Sequence, residues 1–306
     1  TTEIYTLSLH DALPIFSRTE GDKPKRLGGD DAPWSMLRVN SHQTVFLVST
    51  EGKAAAIHSL AIPVPKNGDQ GIAAHKLSPL KEEDVLQGIF SVPMERANLP
   101  EAFVLTVSRQ GMVKRSALQE LPGASANSFL LTKINDGDEL FQVLLTNGKQ
   151  DILITTASGM SIRFNESEIR PMGLVAAGVN GIKLKEGDYV VGISLIDNKD
   201  SVALLTRKGL AKRVKAEDYP LQGRYGQGVI SWKLAKDDQI VIQTAGKLSD
   251  KLICHFRKSA SKVFTITNAV ERTRAANGQS VFTLKAGDEL IGATALDDFS
   301  AYWEKA

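Results

Sequence analysis

Residues 158–196 read SGMSIRFNESEIRPMGLVAAGVNGIKLKEGDYVVGISLI. Gly159 separates an apolar run before it from a second strand pattern, and a loop then leads to Gly178 and a third strand. A turn at Gly187 and Asp188 precedes a fourth strand rich in Val and Ile. Strands of about 4–8 residues bounded by Gly and Asp turns are typical of small antiparallel sheets. Helical periodicity is weak throughout the chain.

The same unit recurs with a period of about 50 residues. The first marker is the turn aspartate, found at Asp138, Asp188, Asp238 and Asp288, with Asp84 as an earlier copy. The second marker is the glycine that opens the third strand, found at Gly178, Gly228 and Gly278. The third is the turn between the first two strands, found at Gly52, Gly111, Gly159, Gly209 and Ser259. A fixed period of this length predicts a repeat architecture.

Four strands per repeat predict an all-β, propeller-like ring of small sheets, because one four-stranded sheet cannot bury both of its faces alone. The complete repeats are 41–97, 98–147, 148–197, 198–247 and 248–297. Residues 16–40 are the rear part of a further repeat, in which FSRT matches VKRS and SIRF. Residues 1–15 share nothing with the repeats and are predicted to be a foreign or disordered segment, and 298–306 are a tail.

The recurring turn residues have structural interpretations. The turn glycines permit a positive φ angle. The aspartates cap turns through side-chain-to-backbone hydrogen bonds, since single carboxylates in separate turns make a poor metal site.

The net charge is +2, but the basic residues are unevenly distributed along the chain. Residues 198–247 contain ten Lys/Arg and five Asp/Glu, and residues 248–296 contain seven and four. Basic residues also recur shortly after the turn position. The candidate DNA-binding residues are Lys114, Arg115, Arg163, Lys212, Arg213, Lys215, Arg224, Lys262, Arg272 and Arg274. One basic position repeated in every blade suggests a charged track for the phosphates of a duplex. The alternative is a solvated edge that protects the sheets from aggregation.

Two stretches, 158–196 and RKGLAKRVKAEDYPLQGRYGQGVISWKL (207–234), resemble the repeats of the C-terminal domain of the DNA gyrase A protein and of its topoisomerase IV relative. The resemblance includes Arg170-Pro171-Met172-Gly173 and Gly178-Val179, and it spans roughly 16–297. It implies a six-bladed β-pinwheel with an incomplete first blade, which binds and bends duplex DNA on its outer rim. The implied partners are double-stranded DNA, the rest of the gyrase A protein and the ATPase B subunit, in the bacterial cytoplasm.

The family carries a glycine-rich box, Q-R-R-G-G-K-G, and QGRYGQG at 222–228 resembles it. The matching residues are Gln222, Arg224, Gly226 and Gly228. Arg224 is expected either to link blades or to contact a phosphate. In the first blade, KRLGGDD matches the box only at Arg26, Gly28 and Gly29, and Asp30-Asp31 stand where the box has lysine.

Other chemistry is not indicated. The single cysteine, Cys254, excludes an intrachain disulfide, and no apolar run is long enough to span a bilayer. No metal-ligand spacing, phosphate-binding glycine loop or catalytic residue is found, so we expect no metal, no cofactor and no enzymatic activity in this chain. The resemblance implies that a parent protein is an ATP-hydrolysing type II topoisomerase. The alternatives are a topoisomerase IV-type domain and a protein-interaction scaffold.

Overall fold

The computed structural model describes residues 2–10, 13–20, 32–63, 72–97 and 99–298. The architecture is all-β, as predicted. In the described residues the helical content is one short α-helix, Ala74–Leu77, and single turns of 3-10 helix at Ser59–Ala61, Leu118–Glu120, Glu166–Glu168, Ala216–Asp218 and Ile266–Asn268.

The strands, in chain order, are β1 (Thr2–His10), β2 (Leu13–Glu20), β3 (Ser35–Asn40), β4 (Gln43–Ser49), β5 (Lys53–His58), β6 (Ile72–Ala73), β7 (Leu86–Pro93), β8 (Phe103–Ser108), β9 (Met112–Ala117), β10 (Phe129–Leu130), β11 (Leu140–Thr146), β12 (Asp151–Thr156), β13 (Met160–Asn165), β14 (Val179–Asn180), β15 (Val190–Ile196), β16 (Ser201–Thr206), β17 (Leu210–Lys215), β18 (Val229–Ile230), β19 (Ile240–Gly246), β20 (Lys251–Phe256), β21 (Lys262–Thr265), β22 (Gln279–Ser280), β23 (Leu290–Thr294) and β24 (Leu296–Asp298).

Four of the sheets share one plan, which the order β15-β12-β13-β18 illustrates. A hairpin, β12-β13, forms the middle, and the last strand of the same repeat, β15, lies on the inner side. The outer strand has only two residues and belongs to the following repeat, since Met160 pairs with Ile230 and Ser161 with Val229. The sequence predicts four strands of one repeat in one sheet, and the structure differs: each repeat donates its third strand to the sheet before it.

The hairpin turns follow from the glycines. Gly159 has φ +89°, and a Cβ atom there would lie 2.5 Å from the carbonyl oxygen of Trp232 in the next repeat. The predicted positive φ is confirmed at Gly52, Gly111 and Gly209 as well. A glycine is therefore needed both for the turn and for the close approach of the next repeat.

Both faces of the β15-β12-β13-β18 sheet are buried between neighbouring sheets. Ile152 and Ile154 of β12 pack with Leu105 of the preceding repeat. Leu153, between them, points to the other face and packs with Val202 and Leu204 of the following repeat. Successive side chains of a strand alternate between faces, so a strand enclosed on both sides reads as a continuous apolar run.

The first and last sheets depart from the common plan. The sheet orders are β24-β3-β1-β2-β6 and β21-β20-β23, so among the described strands the last sheet has no outer two-residue strand. β24 pairs with β3 in parallel, and the Trp34 ring stacks on His255 of β20 with a centroid distance of 4.6 Å. These contacts join the last repeat to the first.

Residues 1–15 are predicted to lie outside the domain, but the structure includes part of them in the first sheet. Thr2–His10 pairs with β2 and with β3, in the place that β8 holds in the second complete repeat. FSRT lies in β2, where Phe16 pairs with Ile72 as Val113 of β9 pairs with Val179. The first-blade loop at 25–31 lies outside the described residues, and its neighbour Ala32 is buried with Met36 and Ile253.

Candidate nucleic-acid interface

The basic residues that recur after the turn lie on the second strand of each hairpin, and several of them are buried. Lys114 on β9 is 1% exposed. Its Nζ donates to the carbonyl oxygens of Leu131 and Leu174, both at 2.6 Å, and of Gly173 at 3.3 Å. Lys114 therefore binds the main chain of its own repeat and the next one rather than solvent.

Lys212 on β17 repeats this arrangement. Its Nζ donates to the carbonyl oxygen of Ala276 at 2.8 Å and to those of Thr273 and Arg274, and it lies 4.9 Å from the Trp232 ring centroid. Burial lowers the pKa of both Lys114 and Lys212 to about 8. The ammonium group thus supplies hydrogen bonds to carbonyl groups of the following repeat that do not pair with any strand.

The adjacent arginines are also held by the protein. Arg163 on β13 is 8% exposed and binds the Asp151 carboxylate through Nη2 at 2.7 Å and Nε at 2.9 Å. Its Nη1 donates to the carbonyl oxygens of Ala216 and Tyr219 in the next repeat. Arg163 thus connects two repeats.

Arg115 on β9 is 6% exposed. It donates to the Gly148 carbonyl oxygen at 3.2 Å, lies 3.7 Å from the buried Glu166 carboxylate and covers the Phe103 ring. Arg213 on β17 is partly buried, donates to the Ala269 carbonyl oxygen and pairs with Glu271 at 3.3 Å. Both arginines therefore contact the repeat that follows their own.

These placements correct the expectation of a charged track formed by the recurring basic residues. Lys114, Arg115, Arg163 and Lys212 are interior, because the loop of the following repeat covers the second hairpin strand and needs donors for its carbonyl groups. In the structure each of them donates a hydrogen bond to the repeat that follows its own.

The remaining candidates reach solvent. Lys215, Lys262 and Arg272 are exposed, whereas Arg224 and Arg274 are partly exposed. Lys262 stands where Lys212 stands one repeat earlier, but no described strand covers β21, and its Nζ lies over the Phe256 ring at 5.5 Å. Lys215 pairs with Glu217 at 3.5 Å.

The segments 171–178, 221–228 and 271–278 are called the outer loops. Each begins with a bridge to the second hairpin strand of the preceding repeat, at Arg115–Pro171, Arg163–Leu221 and Arg213–Glu271. In the outer loop 221–228, Gln222 N–H donates to the Arg163 carbonyl oxygen at 2.8 Å, and Tyr225 N–H donates to the Gly181 carbonyl oxygen at 2.7 Å. Arg224 donates to the carbonyl oxygens of Glu168 and Asn180 at 3.3 and 3.1 Å. Arg274 repeats this role one loop later, since its Nη1 donates to the Ile230 carbonyl oxygen at 3.3 Å.

The glycines of the box-like loop are not equivalent. Gly228 has φ +73°, and a Cβ atom there would clash with the Ser161 carbonyl oxygen. At Gly226 the nearest atom would be the Ile162 Cδ1 at an ordinary 3.4 Å. Tyr225 has φ +65°, the one positive φ of a non-glycine residue in the described part of the chain, and its side chain is exposed.

The turn aspartates cap turns, as predicted. The Asp188 carboxylate accepts from the N–H groups of Ser158 and Tyr189 at 3.0 and 2.9 Å. Asp138, Asp238 and Asp288 accept from the equivalent turn N–H groups of Gln110, Lys208 and Lys258.

A second set of periodic lysines was not predicted from the sequence. Lys133, Lys183 and Lys233 lie five residues before Asp138, Asp188 and Asp238 and are exposed. Their 50-residue spacing is visible in the sequence. Spacing and charge alone do not distinguish these exposed lysines from the buried lysines on the hairpin strands, Lys114 and Lys212.

Within the described ranges, no group of three or more His, Cys, Asp or Glu side chains could hold a metal ion. No helix in the same ranges is both long and apolar enough to cross a bilayer.

The chain matches the family described as DNA gyrase C-terminal domain, beta-propeller, over residues 102–147, 150–197, 200–242 and 262–297. These segments are more than half of the chain. The DNA gyrase A protein of Salmonella typhimurium is 32% identical over 165 residues, which is 54% of this chain and 18% of that protein. The DNA gyrase A protein of Staphylococcus epidermidis is 32% identical over 155 residues, or 51% and 17%. The matched region thus spans about a fifth of the length of these relatives.

Solved structures share the fold. The C-terminal domain of DNA topoisomerase IV superposes with a TM-score of 0.81 at 23% identity, and the superposition covers 96% of this chain and 92% of that one. The DNA gyrase A C-terminal domain superposes with a TM-score of 0.76 at 20% identity, covering 97% and 100%.

Proposed function

The chain belongs to the DNA gyrase C-terminal domain family, and from this we propose that it binds duplex DNA along its outer edge and bends it. In this proposal the six sheets are six blades of a β-pinwheel, and the domain serves the A protein of a gyrase-like type II topoisomerase. The partners are double-stranded DNA, the remainder of the A protein and the ATPase B subunit, in the bacterial cytoplasm. ATP hydrolysis and strand cleavage belong to those other parts, and this domain needs no cofactor.

The observation that carries the proposal is an arginine repeated in two successive outer loops. Arg224 and Arg274 are both partly exposed, and each is fixed by a hydrogen bond to the outer strand of the preceding repeat. Exposed Arg272 lies beside Arg274, and Lys262 is exposed on β21, which no described strand covers. Guanidinium groups held on successive repeats suit phosphates that follow one another along a duplex.

Bending follows from the same geometry. A duplex that touches equivalent positions of successive sheets would bend with the array, because the sheets of a propeller-like ring are turned relative to one another. Contacts of this kind fix orientation and give little base reading, so we expect weak sequence preference.

A gyrase-like role is favoured over a topoisomerase IV-like role because the curated relatives at 32% identity are gyrase A proteins. The test of wrapping is to ligate nicked plasmid with the chain bound and then remove the protein. A positive linking-number change supports wrapping, and an unchanged linking number would restrict the function to bending, as expected for the topoisomerase IV-like alternative.

A scaffold function is the competing hypothesis, and the exposed apolar side chains of Val175, Leu221 and Tyr225 on the outer loops favour it. The deciding experiment is fluorescence anisotropy of a labelled duplex titrated with the chain across a salt series. DNA binding predicts that the logarithm of affinity falls linearly with the logarithm of salt concentration. Absence of binding at low salt would reject the DNA-binding proposal in favour of the scaffold.

A further inference from the structure

The lysine series Lys133, Lys183 and Lys233 occupies one position in three successive repeats. Each lysine lies three residues after an outer strand, β10, β14 or β18. All three side chains are exposed, and none makes a hydrogen bond or ion pair with the residues that the structure describes. Their charges are therefore available to a ligand.

The series lies next to the outer loops. Lys133 N–H donates to the Ala176 carbonyl oxygen at 3.1 Å, and Lys183 N–H donates to that of Gly226 at 2.9 Å. These acceptors belong to the outer loops of the next repeats, so the backbone beneath each lysine is fixed against the loop. Both lysines lie on the side that carries the hairpin turns. The N–H groups of Leu131 and Gly181, each two residues before its lysine, donate to the carbonyl oxygens of the turn residues Gly52 and Gly111 at 2.9 and 2.8 Å.

Other exposed cations in the described ranges are often neutralised locally. Lys208 pairs with Asp237, and Arg257 pairs with Glu289. The half-buried Lys53 likewise contacts both Glu51 and Asp84 at 3.0 Å. The lysine series differs from these in being repeated, exposed and, among the described residues, without an acidic partner.

We propose that Lys133, Lys183 and Lys233 are phosphate contacts that guide duplex DNA along the turn-side border of the outer loops. This inference rests on the proposed DNA-binding function and names residues that carry it. Flexible ammonium groups at a constant interval act as point charges that follow a phosphate backbone without reading bases. They would extend the path of the duplex from the basic last repeats, at Arg224 and Arg274, back to the repeat at 98–147, whose hairpin cations are buried.

The test compares two triple variants of the 306-residue chain with equal loss of charge. The first is K133Q/K183Q/K233Q. The control is K149Q/K199Q/K247Q, which removes three exposed lysines in the turns before β12, β16 and β20, at the opposite ends of the hairpins. None of these control side chains has a hydrogen bond or ion pair in the described part of the chain either. Circular dichroism and a thermal melt establish that both variants fold.

Duplex affinity is then measured across a salt series for the wild-type chain and both variants. Three lost phosphate contacts should reduce the slope of log affinity against log salt by about 3, since each contact contributes roughly 0.9. The control should keep the wild-type slope. Equal slopes in all three proteins, or an equal reduction in both variants, would overturn the inference while leaving DNA binding intact. If the wild-type chain binds no duplex at low salt, the proposed function fails and the inference with it.

Discussion

The Nζ atom of Lys212 lies 2.8 Å from the carbonyl oxygen of Ala276, a residue of the following repeat. The same ammonium group also reaches the carbonyls of Thr273 and Arg274 in that outer loop. Lys212, which the sequence predicts to be a DNA-binding residue, thus connects one repeat to the next.

At a pH above the folded Lys212 pKa of about 8, where the cost of burying its charge is relieved, replacing Lys212 with methionine should lower the free energy of unfolding by about 1–3 kcal/mol, because buried carbonyl groups lose their donor. The matched control is Lys262→Met at the equivalent exposed position, for which we expect a change within about 0.5 kcal/mol. Chemical denaturation of both variants provides the comparison. Equal midpoints would show that the Lys212 contacts do not stabilise the repeat interface.

Burial of Lys114 and Lys212 also predicts a pH dependence. Because the folded pKa of each lysine, about 8, lies below the ordinary value of 10.5, the unfolded chain binds more protons between these values. The cost of burying the two charges is therefore fully present below pH 8 and is relieved as the pH rises toward 10.5.

The measurement is the unfolding free energy of the wild-type chain and of the K114M/K212M variant between about pH 7 and about pH 10, a range that spans the folded pKa of both lysines. The wild-type chain should gain stability relative to the variant as the pH rises, since other titrating groups are common to both. A constant difference would mean that the two lysines keep an ordinary pKa in the folded state.

We expect a side chain to reduce the stability of the fold more at Gly228 than at Gly226. Gly228→Ala combines a positive φ of +73° with a clash against the Ser161 carbonyl oxygen, and it should cost about 1–3 kcal/mol. Gly226→Ala meets its nearest neighbour at 3.4 Å and should change stability by less than about 1 kcal/mol. Thermal melts of the two variants compare them, and a larger loss at Gly226 would contradict the different roles assigned to the two glycines.

The repeat architecture was predictable from sequence because turn chemistry leaves a local signature. Gly159 and Asp188 mark turns by their own backbone and side-chain requirements, and both roles are confirmed. The exchange of the outer strand was not predictable, because Val229 and Ile230 look the same whether they pair within their own repeat or with Met160 and Ser161 of the one before.

The candidate interface was predicted less well, for a physical reason. Lys212 and Lys262 are identical in type and periodic position, yet the first is fully buried and the second is exposed. The difference depends on whether a strand pairs with the outer edge of the hairpin, as β22 does for β17 and no described strand does for β21. Sequence periodicity therefore located the cations without giving their burial.

Substitutions of Tyr225 test whether the backbone of the box-like loop 222–228 is strained and whether the Tyr225 ring contributes to duplex binding. Its φ of +65° is unfavourable for a residue with a Cβ atom and is ordinary for glycine. Tyr225→Gly should therefore be more stable than Tyr225→Ala by about 1 kcal/mol, because only the glycine variant relieves the backbone. Both variants remove the same exposed ring, so any shared loss of duplex affinity reports on the ring, while the difference in their melting temperatures reports on the backbone. Equal melting temperatures would show that the loop holds this conformation without strain, and unchanged affinity in both would restrict the contribution of the loop to Arg224.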